Sequence, residues 1–208
     1  YEISTRDWSS DVCSSDRAEI LALATSCAQS LLTHSEGAGS DERMPLVQPA
    51  TAGRRGPLPI LISAASAAEE ASLLAERIAS LMAEGVGADD IAVLFRAKYL
   101  MEPLEQALKK RRIAFETMRS RYFKHFDWSK PSVKLLTMHS AKGLEFAHVF
   151  LSGVQALPMK EDTMEDALRL LYVAMTRATR QLVLSHHGRS AVVARIQASL
   201  QKVALTFA

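Results

Sequence analysis

The chain alternates short apolar runs of strand length with longer segments of helical period. "LPILISA" (Leu58 to Ala64), "DIAVLFRA" (Asp90 to Ala97) and "IAFET" (Ile113 to Thr117) are three such runs. Val133 to Met138, His148 to Val154 and Gln181 to Ser185 are three more. Between them, Ala67 to Glu84 carries Leu73, Leu74, Ile78 and Leu81 on one helical face, and Gly85 and Gly87 stop it. Further helices are predicted over Ala18 to Leu32, Met101 to Arg112, Glu161 to Arg177 and Ser190 to about Val203. Continuous apolar strands separated by helices indicate a parallel sheet covered on both faces. The expected fold is therefore α/β, a three-layer domain with a mostly parallel sheet. Ligands of such sheets bind beyond the C-terminal strand ends, and the Thr137 to Glu145 loop is expected to lie at such an end.

Two segments fall outside this pattern. Ser35 to Pro57 is rich in Gly, Ser, Pro and charge and reads as a long exposed loop. "YEISTRDWSSDVCSSD" (residues 1–16) has neither helical nor strand period. Back-translated, Arg6 to Asp16 matches a sequencing-library adapter, so the segment is read as translated adapter rather than native chain. The alternative is a genuine polar N-terminal tail. On the adapter reading, the native chain is truncated on its N-terminal side. No internal repeat is visible.

Composition narrows the class only slightly. Of 208 residues 48% are hydrophobic and the net charge is +2, which excludes a largely disordered chain. The pI near 8.6 permits a nucleic-acid partner without arguing for one. There is no run of about eighteen apolar residues and no signal peptide, so no membrane partner is expected. Cys13 and Cys27 lack metal-ligand spacing and fit a reducing cytoplasm.

The chemistry concentrates in "VKLLTMHSAKGLEF" (Val133 to Phe146) and "LLYVAMTRATRQLVLS" (Leu170 to Ser185). Separately, the first is a polar turn with a glycine and the second a cationic helix end. Together, in this order and spacing, they resemble motifs V and VI of the UvrD/Rep type of superfamily 1 DNA helicases. "IAVLFRA…EPLEQAL" resembles the segment preceding motif V. The resemblance covers about Ala18 to Gly188, the second of two RecA-like halves, called 2A, in a fold of the P-loop NTPase kind.

The resemblance implies ATP, with Mg²⁺, in a cleft between the halves. It accounts for a chain without a GxxxxGK[ST] loop: the phosphate cradle and the Mg²⁺ ligands are expected on an N-terminal RecA-like half, a partner within the same protein. Arg177 matches the arginine that reaches the γ-phosphate, a job suited to a planar, permanently charged fork. Glu145 matches an acid near the nucleotide sugar, Gly143 lets the backbone approach, and Lys142 could serve either ligand. Thr137, His139 and Ser140 match positions facing single-stranded DNA, where hydroxyls and imidazole bond phosphates without reading sequence. Tyr172 matches a motif VI aromatic, either packing or coupling. His186 and His187 read as loop residues, and Arg180 as a surface charge.

The implied function is the C-terminal half of an ATP-dependent DNA helicase or translocase, moving 3′ to 5′, inactive as an ATPase on its own. Its alternative is a non-catalytic DNA-binding or regulatory module built on a helicase-like half. A nuclease-helicase subunit of the RecB/AddA kind has no carboxylate cluster to support it. The expected organisation is 17–57 as a truncated helix with its loop, 58–189 as the 2A domain without a 2B insertion, and 190–208 as a C-terminal helix. Three departures from the family stand out: motif IV, which carries a second γ-phosphate arginine in the family, is missing before Ala18, with Arg17 as its one candidate remnant; only about fifteen residues separate Thr117 from Val133; and few acids precede motif VI.

Overall fold

The computed structural model describes residues 17–32, 55–118 and 126–207. The adapter-like segment, most of the predicted 35–57 loop and part of the short connection before Val133 lie outside them.

Six strands form one sheet: β1 (Ile60–Ser63), β2 (Ile91–Phe95), β3 (Phe115–Thr117), β4 (Val133–Thr137), β5 (Phe146–Ser152) and β6 (Ala178–His186). Their order is β1-β6-β5-β2-β4-β3, and every pairing is parallel. The helices are α1 (Ala18–Leu32), α2 (Ala67–Ala83), α3 (Glu102–Lys110), α4 (Met164–Met175) and α5 (Ala191–Phe207). Strand residues alternate between two cores, as the period of two requires. Ala92, Leu94, Leu136, Val149, Leu151, Leu182 and Leu184 pack with α1, α4 and α5. Ile91, Val93, Phe95, Val133, Leu135, Phe150 and Val183 pack with α2 and α3. This is the expected three-layer arrangement.

Element ends follow from local chemistry. The helix predicted from Glu161 starts at Met164, because Thr163 caps it. Asp166 N donates to Thr163 Oγ1 at 3.1 Å, and Thr163 N donates to the Asp166 carboxylate at 3.3 Å. A single 3₁₀ turn, Lys98–Met101, precedes α3, whose first turn holds Pro103, tolerated there because those N–H groups have no helical partner. The last strand starts earlier than its apolar run, at Ala178, because Thr179 and Arg180 extend the ladder at its more exposed end.

Three buried polar groups stand out, and two of them tie separate segments together. Lys134, 1% exposed in β4, donates from Nζ to Asp127 O (3.2 Å), Lys130 O (2.9 Å) and Ser132 Oγ (3.1 Å). All three ammonium protons thus find acceptors, and the turn before β4 is pinned. Glu70 of α2, 3% exposed, accepts from Ser152 Oγ (3.1 Å), Gly153 N (2.8 Å) and Ser185 Oγ (2.5 Å), and also bonds His187 Nδ1. His187 is therefore engaged rather than an idle loop residue. The third group, His148 of β5, is 7% exposed, and neither ring nitrogen completes a hydrogen bond. Burial, opposed by the neighbouring Gln181 amide, holds its pKa below the ordinary 6.5; Arg180 and Arg77 add to the drop and Asp90 opposes it.

Glu70→Ala removes the acceptor common to β5, β6 and the Gly153 turn. It should cost about 3 kcal/mol, read as a lower urea midpoint at unchanged slope. Glu76→Ala, whose ion pair among the described residues is a surface contact to Arg111 at 3.7 Å, should be near neutral. The His148 term has a defined sign. The folded pKa lies below 6.5, so between the two values the unfolded chain binds more protons. The contribution of His148 to stability should therefore fall as pH drops below about 6.5, and His148→Leu should flatten that slope. Urea midpoints from pH 7.5 to 5 check this.

Candidate functional site

β4 ends at Thr137 in a side-chain turn. Thr137 Oγ1 accepts from Ser140 N at 3.2 Å and shares a hydrogen bond with Ser140 Oγ at 2.8 Å. Met138 N still donates to Phe95 O of β2 at 2.8 Å. The backbone then winds tightly: Ala141 N reaches Thr137 O (3.1 Å), Lys142 N reaches His139 O (3.4 Å) and Leu144 N reaches Ala141 O (3.0 Å). With about three residues per turn, every third residue shares a side. Met138 and Ala141 are buried on the core, with Leu144 half-buried against it. His139, Lys142 and Glu145 form the exposed stripe.

This segment crosses the sheet. Thr137 aligns with Phe95, and Phe95 with Ser152, so Thr137 lies at the C-terminal strand ends. Phe146 precedes Ser152 by six positions in β5, so the segment finishes roughly 20 Å away, at the N-terminal ends. The sequence placed the whole loop at the C-terminal ends; only its first half is there. Gly143 has φ +82°, and a Cβ added to it would meet nothing within 4 Å. Positive φ, rather than a close approach within this chain, is what requires glycine.

Arg177 lies where the segment finishes. Phe146 N donates to Arg177 O at 3.0 Å, and Thr179 Oγ1 donates to Phe146 O at 3.3 Å. The guanidinium donates from Nε to Val173 O (3.0 Å), from one terminal nitrogen to Leu144 O (3.3 Å) and from the other to Thr176 Oγ1 (3.4 Å). Arg177 thus clips the last turn of α4 to the motif V segment beside Glu145. Tyr172 is half-buried against the core. The structure therefore gathers Arg177, Gly143 and Glu145 toward one end, sets Thr137, His139 and Ser140 at the other, and leaves Lys142 exposed between.

At the Thr137 end lies a pair that sequence reasoning missed. Arg96, just after β2, forks onto Asp162, just before α4, with contacts of 2.7 to 3.0 Å. The side chains are 16% and 18% exposed, and Asp162 also accepts from Met159 N at 3.1 Å. Burial pushes the Asp162 pKa up, but these hydrogen bonds and the Arg96 charge outweigh it and hold the carboxyl below its usual range. His139 feels both partners. Partial burial and Arg96 lower its pKa below 6.5, against Asp162, which favours a neutral imidazole at pH 7. The available sequence signal was a cation closing an apolar strand; its partner, 66 positions away, left none. Among the described residues no group of three metal-ligating side chains occurs.

The model of the UvrD-like helicase C-terminal domain family matches residues 17–127 and 124–189. The chain belongs to this family. It is 38% identical over 81 residues to the ATP-dependent DNA helicase PcrA of Leuconostoc citreum, covering 36% of this chain and 11% of that protein. It is 44% identical over 64 residues to PcrA of Bacillus subtilis (strain 168), covering 27% and 9%. It is 43% identical over 63 residues to the ATP-dependent DNA helicase Rep of Buchnera aphidicola subsp. Schizaphis graminum, covering 27% and 10%. These matches thus span about a tenth of each relative's length. Among solved structures, the C-terminal domain of a possible DNA helicase from Lactobacillus plantarum WCFS1 superposes with a TM-score of 0.58 at 20% identity, over 86% of this chain and 92% of that one. At that identity the likeness is one of fold.

Gly143→Ala in this UvrD-like domain should cost about 1 kcal/mol through backbone strain alone, since no atom obstructs the methyl group. Gly143→Asn should cost less, because Asn tolerates left-handed backbone. Thermal melts of the two variants check the order.

Proposed function

We propose that this chain is the C-terminal RecA-like half of a cytoplasmic, ATP-dependent DNA translocase or helicase, moving 3′ to 5′. Its partner within the whole protein is an N-terminal half that holds ATP and Mg²⁺. The observation that carries the reading is the crossing of the motif V segment. Candidate DNA contacts stand where it begins, and candidate nucleotide contacts where it ends. The PcrA and Rep relatives, ATP-dependent DNA helicases by name, supply the reaction class. Among the described residues no helix is long and apolar enough to cross a membrane.

The residues fit a partial nucleotide site. A guanidinium has five N–H donors, and Arg177 makes three contacts, two of them at 3.3 Å or more. The remaining donors suit phosphate oxygens, and a bound γ-phosphate would compete well with neutral carbonyls, because charge-assisted bonds are about twice as strong. Glu145 offers a carboxylate to ribose hydroxyls, with Gly143 and Lys142 beside it. Nothing in the 208 residues provides a phosphate cradle of the GxxxxGK[ST] kind, so the chain alone does not turn over ATP. ATP supplies the phosphoryl group; these residues orient it and stabilise the charge that develops on transfer. Thr137, Ser140 and His139 grip single-stranded DNA through its phosphates. Closure of the halves on nucleotide pulls Arg177 and Leu144, and the segment conveys the shift to Thr137.

In the full-length protein, Arg177→Ala should lower ATP turnover about a thousandfold and leave single-strand affinity nearly unchanged. Arg177→Lys should rescue little, since it loses the fork. His139→Ala should weaken single-strand affinity or its stimulation of turnover, with basal turnover near normal. Steady-state kinetics with fluorescence anisotropy on labelled oligonucleotides separate the two. The reverse pattern, Arg177→Ala losing DNA affinity but keeping turnover, would sink the assignment.

A further inference from the structure

β1 and β6 lie side by side, paired from Ile60 with Val183 to Ser63 with His186. The helices that follow them leave on opposite faces, α2 on one core and α5 on the other. Neighbouring parallel strands whose following helices diverge in this way leave a crevice beyond their C-terminal ends, where open α/β sheets take ligands. Here the crevice measures about 600 Å³, within the range of small-molecule sites. Its polar lining includes Ser63, His186, Arg189 and Ser190, while Ala64, Ala65, Val193 and Ala194 contribute apolar surface. Three strand spacings, about 14 Å, separate β6 from β4 and its Thr137. Arg177 lies at the opposite ends of the strands.

The crevice is set up for negative charge. Ser190 caps the 17-residue α5: Val193 N donates to Ser190 Oγ at 3.2 Å and Ala194 N to Ser190 O at 3.0 Å. The N–H groups of Ala191 and Val192 are left without a partner among the described residues. Such first-turn donors point back past the helix start, and the positive end of the helix dipole lies behind them. Arg189 is exposed and makes no ion pair or hydrogen bond among the described residues. No acid among the described residues lines the crevice. Two acids border it, and both are engaged: Glu69 accepts from Ala65 N at 2.8 Å, and Glu70 bonds His187.

A second observation does not depend on the helix. His186, expected in a loop, is the last residue of β6, on the same side of the sheet as Leu182 and Leu184 and hence on the α5 side. It is 6% exposed. Nδ1 donates to Gly188 O at 2.9 Å, and since a carbonyl only accepts, this nitrogen carries the proton. Nε2 is buried and has no partner among the described residues. In the neutral ring it is a lone pair, and an unmet buried acceptor costs stability. A ligand for this crevice therefore brings anionic oxygens for Arg189 and the helix start, and a hydrogen for Nε2. An ionised carboxylate has no such hydrogen, whereas a phosphate that keeps one proton does. The apolar surface beside these groups suits an organic residue attached to that phosphate.

We propose that this crevice binds the phosphate of a small phosphomonoester, with Arg189 and the first turn of α5 on its charged oxygens and His186 Nε2 on its hydroxyl. Free phosphate shares this chemistry and is the other source. The site rests neither on the role proposed for Arg177 nor on those proposed for Thr137, His139 and Ser140.

The test uses the 208-residue chain and needs no turnover. The imidazole nitrogens of His186 are followed by NMR as ribose phosphate or inorganic phosphate is added at constant ionic strength, with ribose and chloride as controls. Saturable shifts with ribose phosphate and not with ribose support the site. Inorganic phosphate binding as tightly or more tightly identifies the free ion as the source, and weaker binding identifies the ester. Arg189→Ala, a surface change that should not disturb folding, is expected to weaken binding about tenfold, and Arg177→Ala to leave it unchanged. Absence of saturation with either phosphate, shifts that chloride reproduces, or full affinity in Arg189→Ala overturns the proposal. So does loss of the response in folded Arg177→Ala, which would make the shift a report from the other end of the sheet. Saturation by a single-stranded oligonucleotide but by neither small phosphate also overturns it, by assigning the crevice to a nucleic-acid backbone.

Discussion

Everything near the candidate site depends on a short connection. Parallel strands ordinarily need a dozen or more linking residues, because the chain must return to the start of the next strand. Between β4 and β5 there are eight, residues 138–145, and β2 lies between the two strands. The distance along the strands is roughly 20 Å. An α-helix of eight residues would span only about 12 Å. The segment therefore stays wound nearer three residues per turn and lies flat on the sheet. Met138, Ala141 and Leu144 fasten it to the core, so His139, Lys142 and Glu145 have no alternative but to face outward. Exposure of those three is a geometrical consequence of length.

α4 crosses the same face in the same direction and is attached at both ends. Asp162, just before its cap, holds Arg96 at the end of β2, and Arg177, just after its last turn, holds Leu144 O. Two rods thus run side by side between the sheet ends, joined by hydrogen bonds at one end and with the Arg96–Asp162 pair beside His139 at the other. A displacement at Arg177 has a packed route toward Thr137 through Leu144, Ala141 and Met138, which lie against the core, and close-packed interiors transmit strain.

The sequence made the layers legible because fully buried parallel strands leave an unmistakable trace. All five residues of β2 are buried, and "IAVLF" says so directly. α1 was placed residue for residue, and α2 and β4 to within a residue. Strand order was not legible, since the same apolar runs fit many orders. Lys134 lay inside the β4 run without weakening it. Its ammonium is satisfied by acceptors at Asp127, Lys130 and Ser132, which no local pattern could announce. The same holds for Glu70, which nothing in the local sequence of α2 singles out. It accepts from residues 82 to 117 positions away. Motif residues were legible through resemblance, whereas Arg96, Asp162 and His148 belong to long-range contacts and stayed hidden.

The proposed function asks Arg177 both to hold structure and to serve a ligand, and its partners are compatible with both. Arg177 binds only neutral acceptors: two carbonyls and a hydroxyl. Were its partner a carboxylate, as Asp162 is for Arg96, an arriving phosphate would have to displace a charge-assisted fork. With neutral partners, the guanidinium keeps its full positive charge while its position is fixed. Arg96 shows the opposite design, with its charge cancelled at 2.7 Å. Under the proposed function, an anion arriving at the N-terminal ends of the sheet would meet an Arg177 whose charge is not neutralised. At the other end, Thr137, Ser140 and His139 present hydroxyls and an imidazole, the contacts that the proposal assigns to single-stranded DNA.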